Sequence, residues 1–239
     1  MNGSFSEAAD ARDASSAVVE KHGDMTEHAE AHGHYDVVCK GPEPKDLQRY
    51  ISLRDKITQI EAYNFVQRIT TRALHAQLKR EFDAIPLVEK WRERAENVVT
   101  TVGRNLALDT YLGGSAYTVV GPFLGLTQTT PTGNAADTMA SHAGWVEAGN
   151  ANAPTYTSPR KTVTAWNAAS GASKTNSTAL TFAITSSGTV GGCFLVYGTG
   201  AVSTIDNTSG VLYSAGAFTG GNKTVNNGDS LTVTYTATM

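Results

Sequence analysis

The sequence predicts a segregated α+β protein, in which an N-terminal extended arm and amphipathic α-helices precede a C-terminal antiparallel β-sandwich or jelly-roll-like domain. Residues 1–104 hold 32 of the 41 charged side chains, whereas residues 105–239 hold nine, together with 25 Thr and 18 Gly. Charged sequence with periodic apolar residues is typical of surface helices, and Thr and Gly are typical of strands joined by tight turns. We therefore expect an arm over residues 1–43, a helical attachment and oligomerisation segment over residues 44–104, and a β-sandwich display domain over residues 105–239.

The first segment is acidic and poor in large apolar groups. Residues 1–36 carry eight acidic and two basic side chains. A segment of this composition cannot bury enough apolar surface to fold alone. We therefore expect residues 1–43 to form an extended arm that is ordered by a neighbouring chain.

Helical periodicity begins after the Pro-rich stretch that ends at Pro44. Apolar residues recur mostly at steps of three and four from Leu47 to Phe82, with an imperfect period around Arg54 and Ala62. Pro86 cannot continue this helix, but it suits the first turn of a second helix that would stop at Gly103. These amphipathic faces predict assembly with other subunits through the following interface residues: Leu47, Ile51, Phe65, Ile69, Leu78, Phe82, Trp91 and Val98.

Short apolar segments separated by Gly, Asn, Pro and Ser follow from residue 105. They predict strands at Tyr117–Leu126, Lys161–Trp166, Ala179–Thr185, Val190–Tyr197, Val211–Phe218 and Leu231–Thr236, after a brief helix or turn at Leu106–Leu112. Six to eight strands in such a length fit a sandwich or jelly roll. The segment Gln128–Tyr156 has few apolar anchors, so we expect a surface loop in which His142, Trp145 and Tyr156 are candidates for recognition.

Three patterns carry the residue types of chemical sites. His22, His28, His32 and His34 could form a zinc or nickel site, but the arm offers no HExxH motif and no second-shell anchors, so no physiological metal is expected. They could also respond to pH, since histidines titrate near neutrality.

Ser141, His142 and Asp137 have the residue types of a hydrolase triad, yet they lie close together in one loop without a GxSxG motif. Asp229 lies in an Asn-Asn-Gly-Asp turn, where its side chain is expected to serve the backbone. We expect no catalytic residue, no metal and no cofactor.

Charge and hydropathy exclude two classes of partner. The chain carries 19 basic and 22 acidic residues with interleaved signs, which does not favour nucleic-acid binding. No apolar run approaches the ~18 residues of a membrane span, and the N-terminus lacks a secretory pattern. We therefore expect a chain made in the cytoplasm, with no membrane partner.

Four segments resemble a family of tailed-bacteriophage virion structural proteins. The most extended is LYSAGAFTGGNKTVNNGDSLTVTYT at Leu212–Thr236, which looks like the closing strands of that family. Three earlier segments also resemble that family, and the order and spacing of all four agree with it. They are Val98–Leu112, Phe123–Leu126 with its Pro131-containing loop, and Asp137–Trp145. The resemblance spans about Val98 to Met239 and carries over no catalytic residue.

The resemblance implies a non-enzymatic virion protein made in the host cytoplasm. Its N-terminal segment would dock onto major capsid or tail proteins and onto sister subunits, as a homo-oligomer of which a trimer is one form. The β-module would be displayed as a capsid decoration or head fibre. The alternative is a receptor-binding tail fibre or adhesin, whose loops Gln128–Tyr156 and Ile205–Gly210 would contact host glycan or protein.

Overall fold

The computed structural model describes residues 31–112 and 120–238. The elements in chain order are β1 (His32–Pro42), α1 (Leu47–Glu61), α2 (Phe65–Asp83), β2 (Leu87–Val99), α3 (Thr101–Leu112), β3 (Phe123–Thr127), β4 (Lys161–Thr162), β5 (Ser173–Thr175), β6 (Leu180–Ala183), β7 (Gly188–Val190), β8 (Gly192–Tyr197), β9 (Val211–Phe218), β10 (Lys223–Val225) and β11 (Ser230–Thr238). None of the helices in these two ranges is long and apolar enough to cross a membrane.

Nine strands form one antiparallel sheet. They follow the order β4-β3-β8-β9-β2-β1-β11-β5, and β6 pairs with another part of β11, while β7 and β10 form a separate ribbon. β4 and β6 also contact each other, so the sheet curls until it nearly closes like a barrel. The mixed α+β class is confirmed. The pairing does not confirm the finer prediction of two stacked sheets, because the strands follow one continuous path.

Alternation along the strands places the core inside this curled sheet. Leu231, Val233 and Tyr235 of β11 are buried and alternate with partly exposed Thr, as their sequence predicts. In β1, Tyr35 pairs in register with Tyr235, and the two ring centroids lie 4.7 Å apart. Each such buried aliphatic or aromatic side chain contributes about 1.5–3 kcal/mol relative to an exposed one.

The expectation of a partner-ordered arm is wrong for the part of it that the structure describes. Residues 32–42 form β1, which pairs with β11 on one side and with β2 on the other. Val37 and Cys39 are completely buried. The apolar residues that order this strand therefore come from the same chain, and residues 1–30 lie outside the described ranges.

The prediction of a second helix over residues 86–103 is also wrong. Residues 87–99 form β2 between β1 and β9, with Ala95, Asn97 and Val99 buried and the residues between them exposed. Glu, Lys, Arg and Ala favour a helix, and the apolar residues of this segment also fit a helical period. Burial of every second residue between two neighbouring strands outweighs that local preference.

The two helices α1 and α2 are an insertion between neighbouring strands. Pro42 of β1 pairs with Leu87 of β2, so residues 43–86 are inserted between two paired strand residues. The sequence break near Ala62 is confirmed as the turn between α1 and α2, where Asn64 caps α2 by accepting from Gln67 N at 3.1 Å. The period irregularity at Arg54 lies within α1 and does not interrupt it.

The C-terminal elements agree more closely with their sequence. β9 has the predicted bounds, and β3, β4, β6, β8 and β11 lie within or beside the predicted segments. The predicted Leu106–Leu112 helix is confirmed as the end of α3. The fall in charge density after Arg104 does not mark a boundary of the sheet. β1 and β2 come before Arg104 in the sequence, yet they lie near the middle of the strand order. A functional division of the chain near that residue stays a prediction.

Candidate recognition sites

Two loops meet on the outer face of the sheet and enclose a cavity of about 190 Å³. They are the predicted recognition loops, residues 128–156 and residues 205–210, which lie far apart in the sequence. The lining residues are Met139, His142, Trp145, Val146, Glu147 and Asn152 from the first loop, and Asp206, Asn207 and Thr208 from the second. Folding therefore joins the two segments that the sequence proposed separately.

A buried ion pair holds the loops together. Arg160 is 1% exposed and Glu147 is 8% exposed. Arg160 Nε donates to Glu147 Oε1 at 2.8 Å, and Arg160 Nη2 donates to Glu147 Oε2 at 2.6 Å. The guanidinium also donates to the carbonyls of Val202 and Asn207, and Asp206 N donates to Glu147 Oε2 at 2.8 Å. Every nitrogen of the guanidinium is thus paired, which a buried ion pair requires.

Sequence reasoning missed Arg160 as the organiser of the site. Arg160 is the only Arg of residues 105–239, but Arg is usually exposed, so its sequence context did not indicate burial. The identity of its acidic partner, Glu147, depends on how the loop folds back. Burial raises the pKa of the Glu147 carboxyl, while the hydrogen bonds from Arg160 act in the opposite direction and favour the ionised form.

The three predicted recognition aromatics occupy different environments. The His142 ring stacks on Trp145, with centroids 3.7 Å apart and planes 14° from parallel. Trp145 is buried and packs on Phe194 of β8, so the half-buried imidazole is the ring nearer the surface. Tyr156 is buried in the main core against Phe182 and does not line the cavity. The prediction that Tyr156 is available for recognition is therefore wrong.

The loop is less exposed than its sequence predicts. Met139 and Trp145 join a second apolar cluster on the outer face of β8 and β9, and Ala148 joins the main core. These anchors pack on Phe194 and Val196 of the alternate face of β8 and, together with the Glu147–Arg160 pair, hold the loop on the sheet.

Ser141, His142 and Asp137 do not form a triad in the described residues. Ser141 N donates to Thr138, and no hydrogen bond joins the Ser141 hydroxyl to His142 within residues 120–238. Burial raises the pKa of Asp137 and lowers that of His142, whose imidazole the Asp137 charge partly stabilises in its protonated form. These groups modify one another electrostatically but lack the nucleophile–base contact of a hydrolase.

The predicted interface residues divide between the interior and the surface. Leu78 and Phe82 pack on the small cluster of Tyr50, Leu53 and Ile85, and Tyr50 and Phe82 have ring centroids 4.5 Å apart.

Trp91, Leu47 and Ile51 are partly buried within the chain. Trp91 Nε1 donates to the Thr224 carbonyl at 3.1 Å. Leu47 and Ile51 lie beside Gly228 in the turn before β11. Contacts with the same chain therefore account for much of the surface of these three.

The outer side of α2 keeps an exposed apolar surface. Phe65 is 79%, Val66 68% and Ile69 61% exposed, and no described side chain of α2 is buried. Val98 is also exposed, but it lies on β2 away from the hairpin. We call Phe65, Val66 and Ile69 the hairpin patch.

The four histidines of the predicted metal or pH-responsive cluster are only partly covered by the described residues. His22 and His28 lie outside the described residues, while His32 and His34 are on β1, where His34 Nε2 is 3.4 Å from Asp36. Within residues 31–112 and 120–238, no group of three or more His, Cys, Asp or Glu side chains could hold a metal ion.

Asp229 serves the backbone of its turn, as the sequence predicts. Its Oδ2 accepts from Asn226 N at 2.9 Å, and its buried carboxylate pairs with Lys90. The turn that precedes β11 is thereby tied to β2.

Comparison with known proteins identifies no relative. No protein-family model, no curated protein and no solved structure matches the chain. The hairpin patch and the loop cavity are therefore the features of this chain on which a function can rest.

Proposed function

We propose that this chain is a non-enzymatic structural protein of a tailed-bacteriophage particle, in which the α1–α2 hairpin attaches and the β-module is displayed as a capsid decoration or head fibre. The observation that carries the proposal is the hairpin patch. An apolar surface of adjacent large side chains on a projecting insertion is typical of a protein–protein interface. The resemblance of four segments between Val98 and Thr236 to virion structural proteins supports the phage assignment.

The hairpin supports an attachment role for a topological reason. It is inserted between β1 and β2. α1 contacts the body beside Gly228 and through Arg54 Nη1, which donates to the Ile184 carbonyl at 3.1 Å. α2 covers α1 on one side and exposes Phe65 and Ile69 on the other. Attachment through α2 would leave the sheet and both loops on the remaining surface unobstructed.

The experiment compares particle incorporation of two matched double variants. Phe65→Glu with Ile69→Glu adds two charges to the hairpin patch, and Thr58→Glu with Gln59→Glu adds two charges to exposed positions of α1. Both proteins should fold, since all four side chains are exposed. We expect the first variant to be absent from purified particles, or to lose self-association in sedimentation, while the second behaves as the wild type. Equal incorporation and equal self-association of both variants would refute the attachment role.

A second candidate function is receptor binding by a tail fibre or adhesin. The observation that favours it is the cavity formed by the two predicted recognition loops. This role predicts that the purified full chain binds host cells and competes with phage adsorption. A chain that does neither, while it is incorporated into particles through the hairpin patch, would leave the decoration role standing alone.

A further inference from the structure

We propose that the loop cavity binds one ring of a neutral saccharide and discriminates against anionic sugars. This inference deepens the second candidate function and rests on it for its biological role, although the binding can be measured without it.

The cavity has the size of a small polar ligand. Its volume of about 190 Å³ lies below the ~300–1,000 Å³ of sites for drug-sized molecules. It is bounded by two loops that the Glu147–Arg160 pair and an Asn150 Nδ2 to Asp206 Oδ2 hydrogen bond of 3.0 Å hold in place. A preformed cavity of this kind requires little ordering when a ligand enters.

The charges of the lining exclude an anionic ligand. No Lys or Arg side chain lines the cavity among the described residues. The nearest organised cation, Arg160, is buried and uses its guanidinium on Glu147 and on two backbone carbonyls. Arg160 neutralises Glu147, which leaves Asp206 as the net negative group of the lining. A carboxylate, sulfate or phosphate would therefore meet like charge without a compensating cation.

The polar groups suit vicinal hydroxyls. Asp206 is exposed, and within residues 120–238 its carboxylate oxygens accept only from Asn150, so acceptor positions remain for a ligand hydroxyl. Thr208 is exposed and can donate and accept. Asn152 donates from Nδ2 to the Glu147 carbonyl at 3.0 Å, which leaves its amide oxygen as an acceptor.

The apolar part of the lining suits the carbon face of a sugar ring. The His142 imidazole, stacked flat on Trp145, and the exposed Val146 supply it. Burial lowers the pKa of His142, so the imidazole is neutral at pH 7 and adds no positive charge to the site. Trp145 also lines the cavity, and its buried Nε1 has no acceptor among the described residues. Hydroxyl acceptors beside an aromatic surface, without a cation, select a neutral polyol over other ligand classes.

The test is a binding titration of the full chain with matched sugars. The probes are glucose, galactose and N-acetylglucosamine, together with glucuronic and galacturonic acids, which replace the hydroxymethyl group of the first two with a carboxylate. Binding is measured by saturation-transfer NMR and calorimetry. We expect at least one neutral sugar to bind in the millimolar range, and its uronic acid to bind at least about tenfold more weakly because of like-charge repulsion.

Two variants and one control connect binding to the cavity. Thr208→Ala should lower the affinity for the neutral sugar by about 2- to 12-fold, which is the effect of one neutral hydrogen bond. Thr199→Ala changes an exposed Thr outside the lining and should leave the affinity unchanged. Asp206→Asn should reduce the discrimination against the uronic acid. Asn tolerates the positive φ of 65° at this position, so the loop should keep its conformation.

Each outcome has a defined consequence. Absence of binding by all neutral sugars, equal binding of a uronic acid, or equal effects of Thr208→Ala and Thr199→Ala would overturn the proposal. If the chain competes with phage adsorption but binds no sugar, the receptor function survives with a protein receptor and the saccharide site is wrong. If a neutral sugar binds as expected but the chain has no effect on adsorption, the site stands and the receptor function fails.

Discussion

Arg160 and Glu147 are the residues on which the geometry of the loops depends most. Their side chains connect residues 147, 160, 202, 206 and 207 through five hydrogen bonds and lie almost completely out of solvent. A buried pair of this kind contributes little net stability relative to an apolar pair, but removal of one partner leaves an unpaired buried charge. The pair therefore acts mainly as a fixed connection between the two loops.

We predict that Arg160→Met lowers the free energy of unfolding by about 3–5 kcal/mol, because Glu147 stays buried without its partner. The matched control is Arg92→Met, which removes the exposed ion pair of Arg92 with Glu89 and should cost no more than about 1 kcal/mol. Urea unfolding followed by tryptophan fluorescence measures both. Similar losses for the two variants would contradict the structural role of Arg160.

Two buried thiols predict a decline of stability at alkaline pH. Burial is the main cause that raises the pKa of Cys39 to about 12, and burial also raises the pKa of Cys193. In the unfolded chain thiols ionise near pH ~8.5, so above that pH the unfolded state binds fewer protons than the folded state and stability falls.

Between about pH 8.5 and 9.5 we expect a loss approaching 1.4 kcal/mol per pH unit for each thiol. Burial also raises the pKa of five tyrosines, which ionise near pH ~10 in the unfolded chain, so together they add a smaller loss that grows toward the upper end of this window. Unfolding titrations across it measure the slope, and Cys39→Ala should reduce the slope by about a third. A stability that is constant up to pH 9.5, or native thiols that react with a thiol reagent at pH 8, would contradict this account.

The α1–α2 hairpin is the element that stands apart from the sheet. Its sequence neighbours on both sides, Pro42 and Leu87, are paired strand residues, so the whole element occupies the place of a β-hairpin turn. α2 buries none of its described side chains, and α1 buries four, among them Tyr50 and Ile57. The hairpin is thus attached to the body through one helix and available through the other.

We predict that residues 43–86 can be replaced by a two-residue Asn-Gly turn without loss of the sheet. Asn-Gly favours the turn type that matches the twist of neighbouring antiparallel strands. The shortened protein should unfold in one cooperative transition, with a free energy lower by about 1–3 kcal/mol because the contacts of α1 with Ile184 and Gly228 are lost.

Far-ultraviolet circular dichroism and urea unfolding test the replacement. The expected spectrum loses most of its helical signal and keeps its strand signal. A protein without a cooperative transition would mean that the hairpin is needed for the sheet to fold, and would contradict the description of the hairpin as an insertion.

At the scale of the whole molecule, strands from both ends of the chain complete one sheet. β1 and β2 come from residues before Arg104, and they lie between β9 and β11 from the C-terminal half. One edge of β9 forms its backbone hydrogen bonds with β2, and one edge of β11 forms its backbone hydrogen bonds with β1. The charged and uncharged halves are therefore parts of a single folding unit as far as the sheet is concerned.

We predict that residues 105–239 alone do not fold into the structure that they have in the full chain. Without β1 and β2, the facing edges of β9 and β11 are exposed and the core loses Tyr35 and Val37. The fragment should aggregate or show a poorly dispersed NMR spectrum, whereas the full chain gives a dispersed one. A stable, monomeric fragment with native-like near-ultraviolet circular dichroism would contradict this.

Local patterns in the sequence correctly indicate several elements of the C-terminal half. The alternation of Leu231, Val233 and Tyr235 indicated β11, and the Asn-Asn-Gly-Asp turn indicated the role of Asp229. Pro86 marked the end of the first helical stretch, but the second helix predicted after it is wrong. These features depend on nearest neighbours along the chain, namely period, proline geometry and turn chemistry. The surface loop Gln128–Tyr156 was indicated in the same way, by its few apolar anchors, and its role in recognition stays a prediction.

Which segments share a surface depends on long-range contacts in the folded chain. Residues 87–99 satisfy both a helical and a strand period, and their place between β1 and β9 selects the strand because it buries Ala95 and Val99. The pairing of Glu147 with Arg160, and the meeting of the two loops, likewise depend on contacts between residues distant in the chain. Burial and hydrogen-bond pairing are properties of the closed sheet, so no local pattern in this sequence could specify them.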